Sequence, residues 1–361
     1  MSWLWIPITL VAAAATAALA TPLASRLSFA LGAIDRPDER KVSARPNIPR
    51  WGGLAVALGT FVGLAVAILM VPEEVALEAD LEALLVGGLL VLAIGALDDR
   101  WSLSAWPKLA VEITAAAVAF GAGLRIEHVT DPITGHVWYF TLWLSWLLTT
   151  VWIVVVTNSF NLIDGLDGLC TGVSAIIGTA LTVLAWQGGQ LPGLVIGVAL
   201  VGGLLGFLPF NFPPARIFVG DTGALFVGYC LSLLALVSYQ RVTVVTFLVP
   251  LLTLAVPLLD TGLSVLRRLR LRSNVMVADR EHIHHRLLRD FSGSHRPAVL
   301  SLYFLTGCFC LIAISFARLQ GYAVIVFLVV VLALTWRILK NLGLVSAPPA
   351  AVRSEAGREA L

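Results

Sequence analysis

Long apolar runs separated by short polar segments make up most of this sequence. Each run is close to the length that a helix needs to cross the hydrocarbon core of a bilayer, roughly 20 residues. Reading each run as one helix predicts an all-α fold, a polytopic membrane bundle of about 11 transmembrane helices. The predicted spans lie near residues 3–24, 51–71, 81–97, 108–124, 141–157, 170–186, 192–208, 221–239, 243–264, 297–317 and 322–339.

Composition narrows the class of protein. Apolar residues make up 58% of the 361 residues and charged residues 13%, and the mean hydropathy is +0.91. A soluble protein cannot bury that much apolar surface. These values exclude a cytosolic enzyme, a nucleic-acid-binding module and a disordered chain, so no nucleic-acid partner is expected.

The basic residues indicate which way the bundle faces. All but three of the 24 Lys and Arg residues fall in alternate loops, and the exceptions are Arg125, Arg241 and Arg318. By the positive-inside rule the basic loops are cytoplasmic, so the N-terminus lies outside and the C-terminus lies in the cytoplasm. We expect a single transmembrane catalytic domain over residues 1–341 and a disordered cytoplasmic tail at 342–361. The cytoplasmic loops would be 25–50, 98–108, 157–169, 209–220 and 265–296.

Nearly all polar residues with catalytic potential fall on this cytoplasmic side. Asp98 and Asp99 follow an apolar run directly. Adjacent carboxylates repel each other, so they have little structural use and favour a function such as Mg²⁺ binding or proton transfer. The alternative is two solvated loop acids.

A second motif repeats a polar residue every three positions through Asn158, Asn161, Asp164 and Asp167. A helix turns back by about 60° over each such step. The four side chains therefore share a face only if the helix tightens or ends at the glycines that follow the two acids. Such oxygens suit a metal, ribose hydroxyls or a base edge, and the alternative is a polar helix cap and turn.

Isolated charged residues also lie beside the predicted spans. Asp221 begins an apolar run, where it is either an N-cap or a Mg²⁺ ligand. Asp260 lies within a span, and carboxylates inside membranes are functional candidates by default. Lys41 is a candidate anion contact, and Lys108 either contacts a lipid phosphate or extends its amine to the interface.

The largest cytoplasmic loop carries three histidines and an arginine, His282, His284, His285 and Arg286. No cysteine or carboxylate lies at the spacing of a zinc site. We therefore expect a cationic pocket for a diphosphate.

Five motifs in this order resemble the polyprenyl-phosphate N-acetylhexosamine-1-phosphate transferases, the membrane superfamily that contains WecA, TagO and MraY. They are residues 35–41 with Gly52-Gly53, Asp98-Asp99, Asn158–Gly168, Gly220-Asp221 and Asp279–His285. The segment His282–Arg286 looks like the loop of the WecA/TagO-like enzymes that use UDP-N-acetylglucosamine (UDP-GlcNAc).

The resemblance implies transfer of N-acetylglucosamine 1-phosphate from UDP-GlcNAc to undecaprenyl phosphate, with release of UMP. This reaction starts the synthesis of lipid-linked cell-envelope glycopolymers such as lipopolysaccharide and teichoic acid. The implied cofactor is Mg²⁺, with Mn²⁺ as an alternative, at the cytoplasmic face of a bacterial inner membrane. The expected partners are the two substrates and membrane lipid, and a homodimer is possible as well.

The resemblance also implies roles for the residues. Asn161 and Asp221 would hold the metal. The catalytic set would be Asp98, Asp99, Asp164 and Asp167, of which the first two serve the acceptor phosphate and the others line the nucleotide and metal site. The residues that contact substrate would be Lys41, Lys108, Asn158, His282, His284, His285 and Arg286.

Two alternatives remain open on the sequence alone. An MraY-like enzyme would transfer phospho-N-acetylmuramoyl-pentapeptide to the same lipid. A transporter would share the polytopic architecture, although it would be expected to place its ionisable groups near the middle of the bilayer. Direct attack by the acceptor and a phospho-enzyme intermediate also remain alternatives, of which we favour direct attack.

Overall fold

The described residues form a helical bundle with two small β-hairpins. The computed structural model describes residues 3–35, 47–71, 79–130, 136–239, 245–270 and 283–317. Residues 319–361 form a separate unit, in which positions 329, 330, 333 and 337 are described and are helical.

Most of the described residues are helical, and short strands lie between some of the helices. The helices are α1 (Trp5–Leu31), α2 (Gly52–Met70), α3 (Ala79–Trp101), α4 (Ala105–Gly121), α5 (Leu142–Ile163), α6 (Leu169–Gln187), α7 (Leu191–Asn211), α8 (Gly220–Tyr239), α9 (Val245–Thr253), α10 (Ala255–Arg270), α11 (Ile283–Asp290) and α12 (His295–Phe316). The strands are β1 (Ile34–Asp35), β2 (Ile48–Pro49), β3 (His128–Thr130) and β4 (Val137–Tyr139).

Within the described part of the chain, 8 helices are long and apolar enough to cross a membrane, namely α1, α2, α3, α5, α6, α7, α8 and α12. This confirms a polytopic helical membrane protein. The helix predicted near 108–124 corresponds to α4, which has 17 residues. Most of the span predicted at 322–339 and all of the tail at 342–361 lie outside the described residues.

The span predicted at 243–264 is two helices, α9 and α10, which are separated at Leu254. Proline has no N–H, so Pro257 cannot donate to the carbonyl of Thr253 one turn earlier. The Cys310 thiol of α12 approaches that carbonyl instead, at 3.8 Å. The proline therefore explains why one apolar run forms two short helices.

Several helices continue beyond the spans predicted for them, and two of these carry polar motifs. Helix α3 extends to Trp101 and α5 extends to Ile163. The polar side chains of α5 bond to the helix itself, since Asn158 Nδ2 donates to the Val154 carbonyl and Ser159 Oγ to the Val155 carbonyl. Such bonds let polar residues remain in the last turns of a helix. Asn158 and Asn161 therefore lie on a helix, whereas the sequence placed them in a loop.

Among the eight candidate spans of the described residues, α8 is the most enclosed. It packs against α3 on one side and α5 on another, while α1, α2 and α7 pack together beside it. Small residues line the contacts among α1, α2 and α7, including Ala13, Gly63 and Ala199. Small side chains let membrane helices approach closely. The core therefore surrounds α8 and holds its N-terminus in place.

The hairpins lie near opposite ends of α4. Strands β1 and β2 pair antiparallel, and Phe218, just before α8, donates its N–H to the Pro49 carbonyl of β2 at 2.8 Å. Strands β3 and β4 follow the C-terminus of α4. The first hairpin brings the segment around Arg50 to the end of the bundle where α3 ends and α8 begins.

Candidate active site

Carboxylates from two helices that are far apart in the sequence contact one lysine. Asp98 lies in the last turn of α3, Asp221 in the first turn of α8, and Lys108 near the start of α4. Lys108 Nζ donates to Asp98 Oδ2 at 2.8 Å and to Asp221 Oδ2 at 3.0 Å. The Leu103 N–H donates to the other oxygen of Asp98 at 2.5 Å. The two acids therefore share one ammonium group, which offsets their mutual repulsion.

Asp99 has a different environment from its neighbour. Its carboxylate is buried and accepts the N–H groups of Asp221 and Thr222, at 3.1 and 3.0 Å, and the Thr222 hydroxyl at 2.6 Å. A carboxylate at these free N–H groups stabilises the N-terminus of α8. Gly220 permits this approach, because its φ is 67° and an added Cβ would lie 2.4 Å from Asp99 Oδ2. The expectation that adjacent acids have little structural use was wrong for Asp99.

The Asn/Asp motif begins on α5 and continues into the turn that precedes α6. Asn161 Nδ2 lies 3.4 Å from Asp221 Oδ2, so α5 contributes to the same cluster. Asp164 follows the end of α5, and burial, together with the carboxylates of Asp221 and Asp99, raises its pKa well above the usual range. Asp167 Oδ2 accepts the Ala215 N–H at 2.9 Å. Three of the four motif residues therefore lie at the end of α5 or just beyond it, while Asp167 connects the turn to the segment before α8.

Two charged residues near this cluster were not predicted from the sequence. Arg50 Nε lies 3.5 Å from Asp99 Oδ1 and 3.9 Å from Asp35 Oδ1. Burial opposes its charge, but the carboxylates of Asp99, Asp221 and Asp35 outweigh that effect and raise the pKa of Arg50. The signal in the sequence was an arginine directly before Trp51 and the Gly52-Gly53 pair.

The second missed residue is Glu112, on α4. It is buried, and its Oε2 accepts a hydrogen bond from Asn158 Nδ2. The signal was an acid inside an apolar run, four residues after Lys108. Residues four apart share a face of a helix, so Glu112 and Lys108 lie on the same side of α4.

Helix α11 brings part of the histidine motif to the Asn/Asp motif. Asp260 Oδ1 accepts the Ile283 N–H at 2.7 Å, and Asp260 Oδ2 lies 3.6 Å from His284 Nδ1. On the other side of the ring, a Cβ added at Gly165 would lie 2.2 Å from His284 Nε2. The imidazole is therefore held between α10 and the turn after α5.

The remaining residues of the histidine motif lie beside His284. The rings of His284 and His285 are 4.3 Å apart between centroids, and Arg286 is half-buried on the same helix. Lys41 and His282 lie outside the described residues. The structure thus brings four motifs together at one end of the bundle. They are the Asp pair of α3, the Asn/Asp motif at the end of α5, Asp221 of α8 and the histidine motif of α11.

The donor atoms of this cluster fit a hard divalent cation. Among the described residues, no three His, Cys, Asp or Glu side chains form a metal-binding group. Mg²⁺ does not need such a cage, because it commonly takes one or two protein ligands and completes its shell with phosphate oxygens and water. Asp221 and Asn161 approach each other closely enough to act together, and Lys108 shows that a cation is stable beside Asp221. The oxygen donors of Asp221 and Asn161 are therefore of the type that suits Mg²⁺.

Known proteins are similar to this chain over the region that contains the cluster. The model of glycosyl transferase family 4 matches residues 81–239. A probable undecaprenyl-phosphate N-acetylglucosaminyl 1-phosphate transferase of Bacillus subtilis is 36% identical over 311 residues, 86% of this chain and 84% of the relative. The decaprenyl-phosphate N-acetylglucosaminephosphotransferase of Mycolicibacterium smegmatis is 36% identical over 344 residues, 85% of this chain and 82% of the relative.

A third relative covers much less of the chain. A phospho-N-acetylmuramoyl-pentapeptide-transferase of Levilactobacillus brevis is 36% identical over 146 residues, 39% of this chain and 44% of the relative. The matched family region contains Asp98, Lys108, Asn161 and Asp221, which meet in the structure. These findings confirm the resemblance that the motifs indicated. The chain therefore belongs to glycosyl transferase family 4, among the polyprenyl-phosphate N-acetylglucosamine-1-phosphate transferases.

Proposed function

We propose that this protein transfers N-acetylglucosamine 1-phosphate from UDP-GlcNAc to undecaprenyl phosphate in the presence of Mg²⁺ and releases UMP. The observation that carries the proposal is the meeting of Asp98, Asp221 and Asn161 around Lys108 at one end of a membrane bundle. A site with that position and charge can receive a water-soluble diphosphate from one side and a lipid phosphate from the other. Similarity to the two long relatives supports the same donor sugar.

The proposed reaction is a single displacement at phosphorus. A phosphate oxygen of the acceptor lipid attacks the phosphorus that bears the sugar, and the bond from that phosphorus to the bridging oxygen of UMP breaks. A phosphate monoester is largely ionised near neutral pH, so a general base is not required. Positioning and charge neutralisation then supply most of the catalysis.

The residues of the cluster have separate proposed roles. Asp221 and Asn161 hold Mg²⁺, which supplies positive charge to the diphosphate. Lys108 moves from the carboxylates to phosphate oxygens as the substrates bind, and Asp98 orients Lys108 and the acceptor phosphate. Asp164 and Asp167 line the nucleotide side of the site. Asp99 is a positioning residue, because its oxygens hold the start of α8.

Helix α11 supplies the proposed contacts to the donor. His284, His285 and Arg286 would contact the sugar diphosphate, and the position of His284 against Gly165 supports this role. The two residues outside the described part of the chain, Lys41 and His282, keep their proposed contacts to phosphate and donor.

The membrane arrangement is part of the proposal. It comprises about 11 spans, an outer N-terminus, a cytoplasmic C-terminus and an active site at the cytoplasmic face of a bacterial inner membrane. The meeting of the basic-loop motifs at one end of the bundle supports this orientation. This orientation is tested by placing a single cysteine in the 98–108 segment or in the β3–β4 hairpin. Each variant is then labelled with a membrane-impermeant maleimide. In intact cells the hairpin cysteine should react and the 98–108 cysteine should not.

The reaction itself is tested with purified protein in detergent, undecaprenyl phosphate, Mg²⁺ and UDP-GlcNAc. We expect UMP release from the wild type and its loss in Asp221→Ala. A parallel reaction with UDP-N-acetylmuramoyl-pentapeptide separates the two donors. Turnover of the pentapeptide donor alone would contradict the proposed sugar, and no UMP from either donor with folded protein would contradict the proposed reaction.

A further inference from the structure

Glu112 is a buried carboxyl group for which the proposed reaction has no role. It lies on α4 among apolar residues and is 1% exposed. Burying an ionisable side chain in an apolar helix is costly, and such residues are functional candidates by default. Its contacts are therefore informative about the site.

The main contact of Glu112 determines how Asn158 is oriented. Asn158 Nδ2 donates one hydrogen to Glu112 Oε2 and the other to the Val154 carbonyl at 2.9 Å. Because Glu112 Oε2 is the acceptor in this hydrogen bond, the NH₂ end of the Asn158 amide faces Glu112. The opposite end of the amide, Asn158 Oδ1, receives no hydrogen bond from any described residue.

The Glu112–Asn158 pair lies one helical turn beyond the cluster around Lys108. On α4, Glu112 follows Lys108 by four residues, and on α5, Asn158 precedes Asn161 by three. Residues at these spacings share a helix face. Lys108 and Asn161 both reach Asp221. The pair therefore forms a second polar layer beside the site, one turn towards the C-terminus of α4 and the N-terminus of α5.

We propose that Glu112 is a positioning residue that fixes the Asn158 amide with Oδ1 available to accept a hydrogen bond from the nucleotide sugar. This inference rests on the proposed function, because it assumes that UDP-GlcNAc is the donor. The ligand groups that fit an amide oxygen are N–H and O–H donors, which the uracil, the ribose and the N-acetyl sugar all carry. Glu112 itself does not contact the substrate and acts through Asn158.

Loss of Glu112 should affect binding of the donor and leave binding of the acceptor unchanged. Without an acceptor at position 112 only the Val154 carbonyl holds the Asn158 NH₂ group. The amide is then less firmly oriented, so donor binding weakens while the acceptor lipid binds as before. We expect Glu112→Ala to raise the KM for UDP-GlcNAc about tenfold, which is the effect of one buried hydrogen bond. The KM for undecaprenyl phosphate should stay within about threefold of the wild type.

Glu112→Gln is the rescue variant. The glutamine carbonyl accepts the same hydrogen bond from Asn158 Nδ2 without the charge, so its KM for UDP-GlcNAc should stay within about threefold of the wild type. Glu112→Met fills a similar volume without a hydrogen-bond acceptor, so it should behave like Glu112→Ala. It replaces Glu112→Ala if the cavity left by the alanine prevents folding. Thr114→Ala is the matched control on α4, because that exposed hydroxyl bonds only to its own helix.

A double-mutant cycle separates positioning from a general structural effect. If Glu112 acts through Asn158, the variant that combines Glu112→Ala with Asn158→Ala has the same KM for UDP-GlcNAc as Asn158→Ala alone. Additive effects of the two substitutions would overturn the proposal. So would a donor KM that is unchanged in both Glu112→Ala and Glu112→Met. A donor KM raised as much in Glu112→Gln as in Glu112→Met would also overturn it. UMP release by the wild type is measured alongside, and its absence would contradict the proposed function rather than this inference.

Discussion

The Lys108 ammonium lies 3.0 Å from the Asp221 carboxylate, although the two residues are 113 positions apart in the sequence. The same ammonium lies 2.8 Å from Asp98. A lysine held by two acids keeps both carboxylates in place before any substrate arrives. In the proposed reaction the ammonium group moves to phosphate oxygens, and the electrostatic contribution of such groups is large in phosphoryl transfer.

Replacing this lysine should separate catalysis from metal binding. In Lys108→Met the rate of UMP release should fall about 100-fold, because the positive charge that offsets the developing phosphate charge is lost. The freed carboxylates should bind Mg²⁺ more readily, since no ammonium competes for them. Thermal unfolding in detergent over a Mg²⁺ titration checks this. A Mg²⁺-induced rise in Tm no larger than that of the wild type would contradict the assigned position of Lys108.

Asp99 should matter mainly for stability. Asp99→Asn exchanges one accepting oxygen for an NH₂ group and leaves donors at the start of α8 unpaired. The free energy of unfolding should fall by about 1–3 kcal/mol. Thr222→Val removes a single donor to the same carboxylate and should change stability in the same direction by about 1 kcal/mol. A fully stable but inactive Asp99→Asn protein would instead indicate that this carboxylate takes part in the chemistry.

The contact between Gly165 and His284 gives a steric test of donor recognition. Gly165→Ala places a methyl group 2.2 Å from the present position of His284 Nε2, so the imidazole must move. The KM for UDP-GlcNAc should rise about tenfold or more. The control is Gly307→Ala on α12, where an added Cβ meets no atom within 4 Å. Equal kinetics for the two variants would contradict a donor-binding role of α11 at this position.

Asp164 should make stability depend on pH in the absence of Mg²⁺. Its pKa is raised in the folded protein, so ionisation disfavours folding. That cost is absent below the usual pKa of an aspartate, about 3.9, and grows as pH rises towards the raised value. Asp164→Asn lacks this cost, so its Tm in EDTA should exceed that of the wild type at pH 8. The difference should shrink towards pH 4, and a constant difference across that range would argue against the raised pKa.

Several features of this protein follow from local sequence alone. Long apolar runs have to be membrane helices because no soluble fold can bury them, and the basic loops between them indicate one side. Asp98, Asn161 and Asp221 could be identified as candidate site residues from their positions in the sequence. Acids and amides at the ends of several apolar helices recur on one predicted side, which indicates a shared site.

Tertiary packing decided which partner each of these residues meets. Asp98 and Asp99 are adjacent in sequence, yet one pairs with Lys108 and the other holds the start of α8, because successive residues point in different directions from a helix. The contacts of Arg50 with Asp99, Glu112 with Asn158 and His284 with Gly165 each join separate elements of the fold. Periodicity along one helix records which face is polar, but it contains no information about the residue that the neighbouring helix places opposite that face.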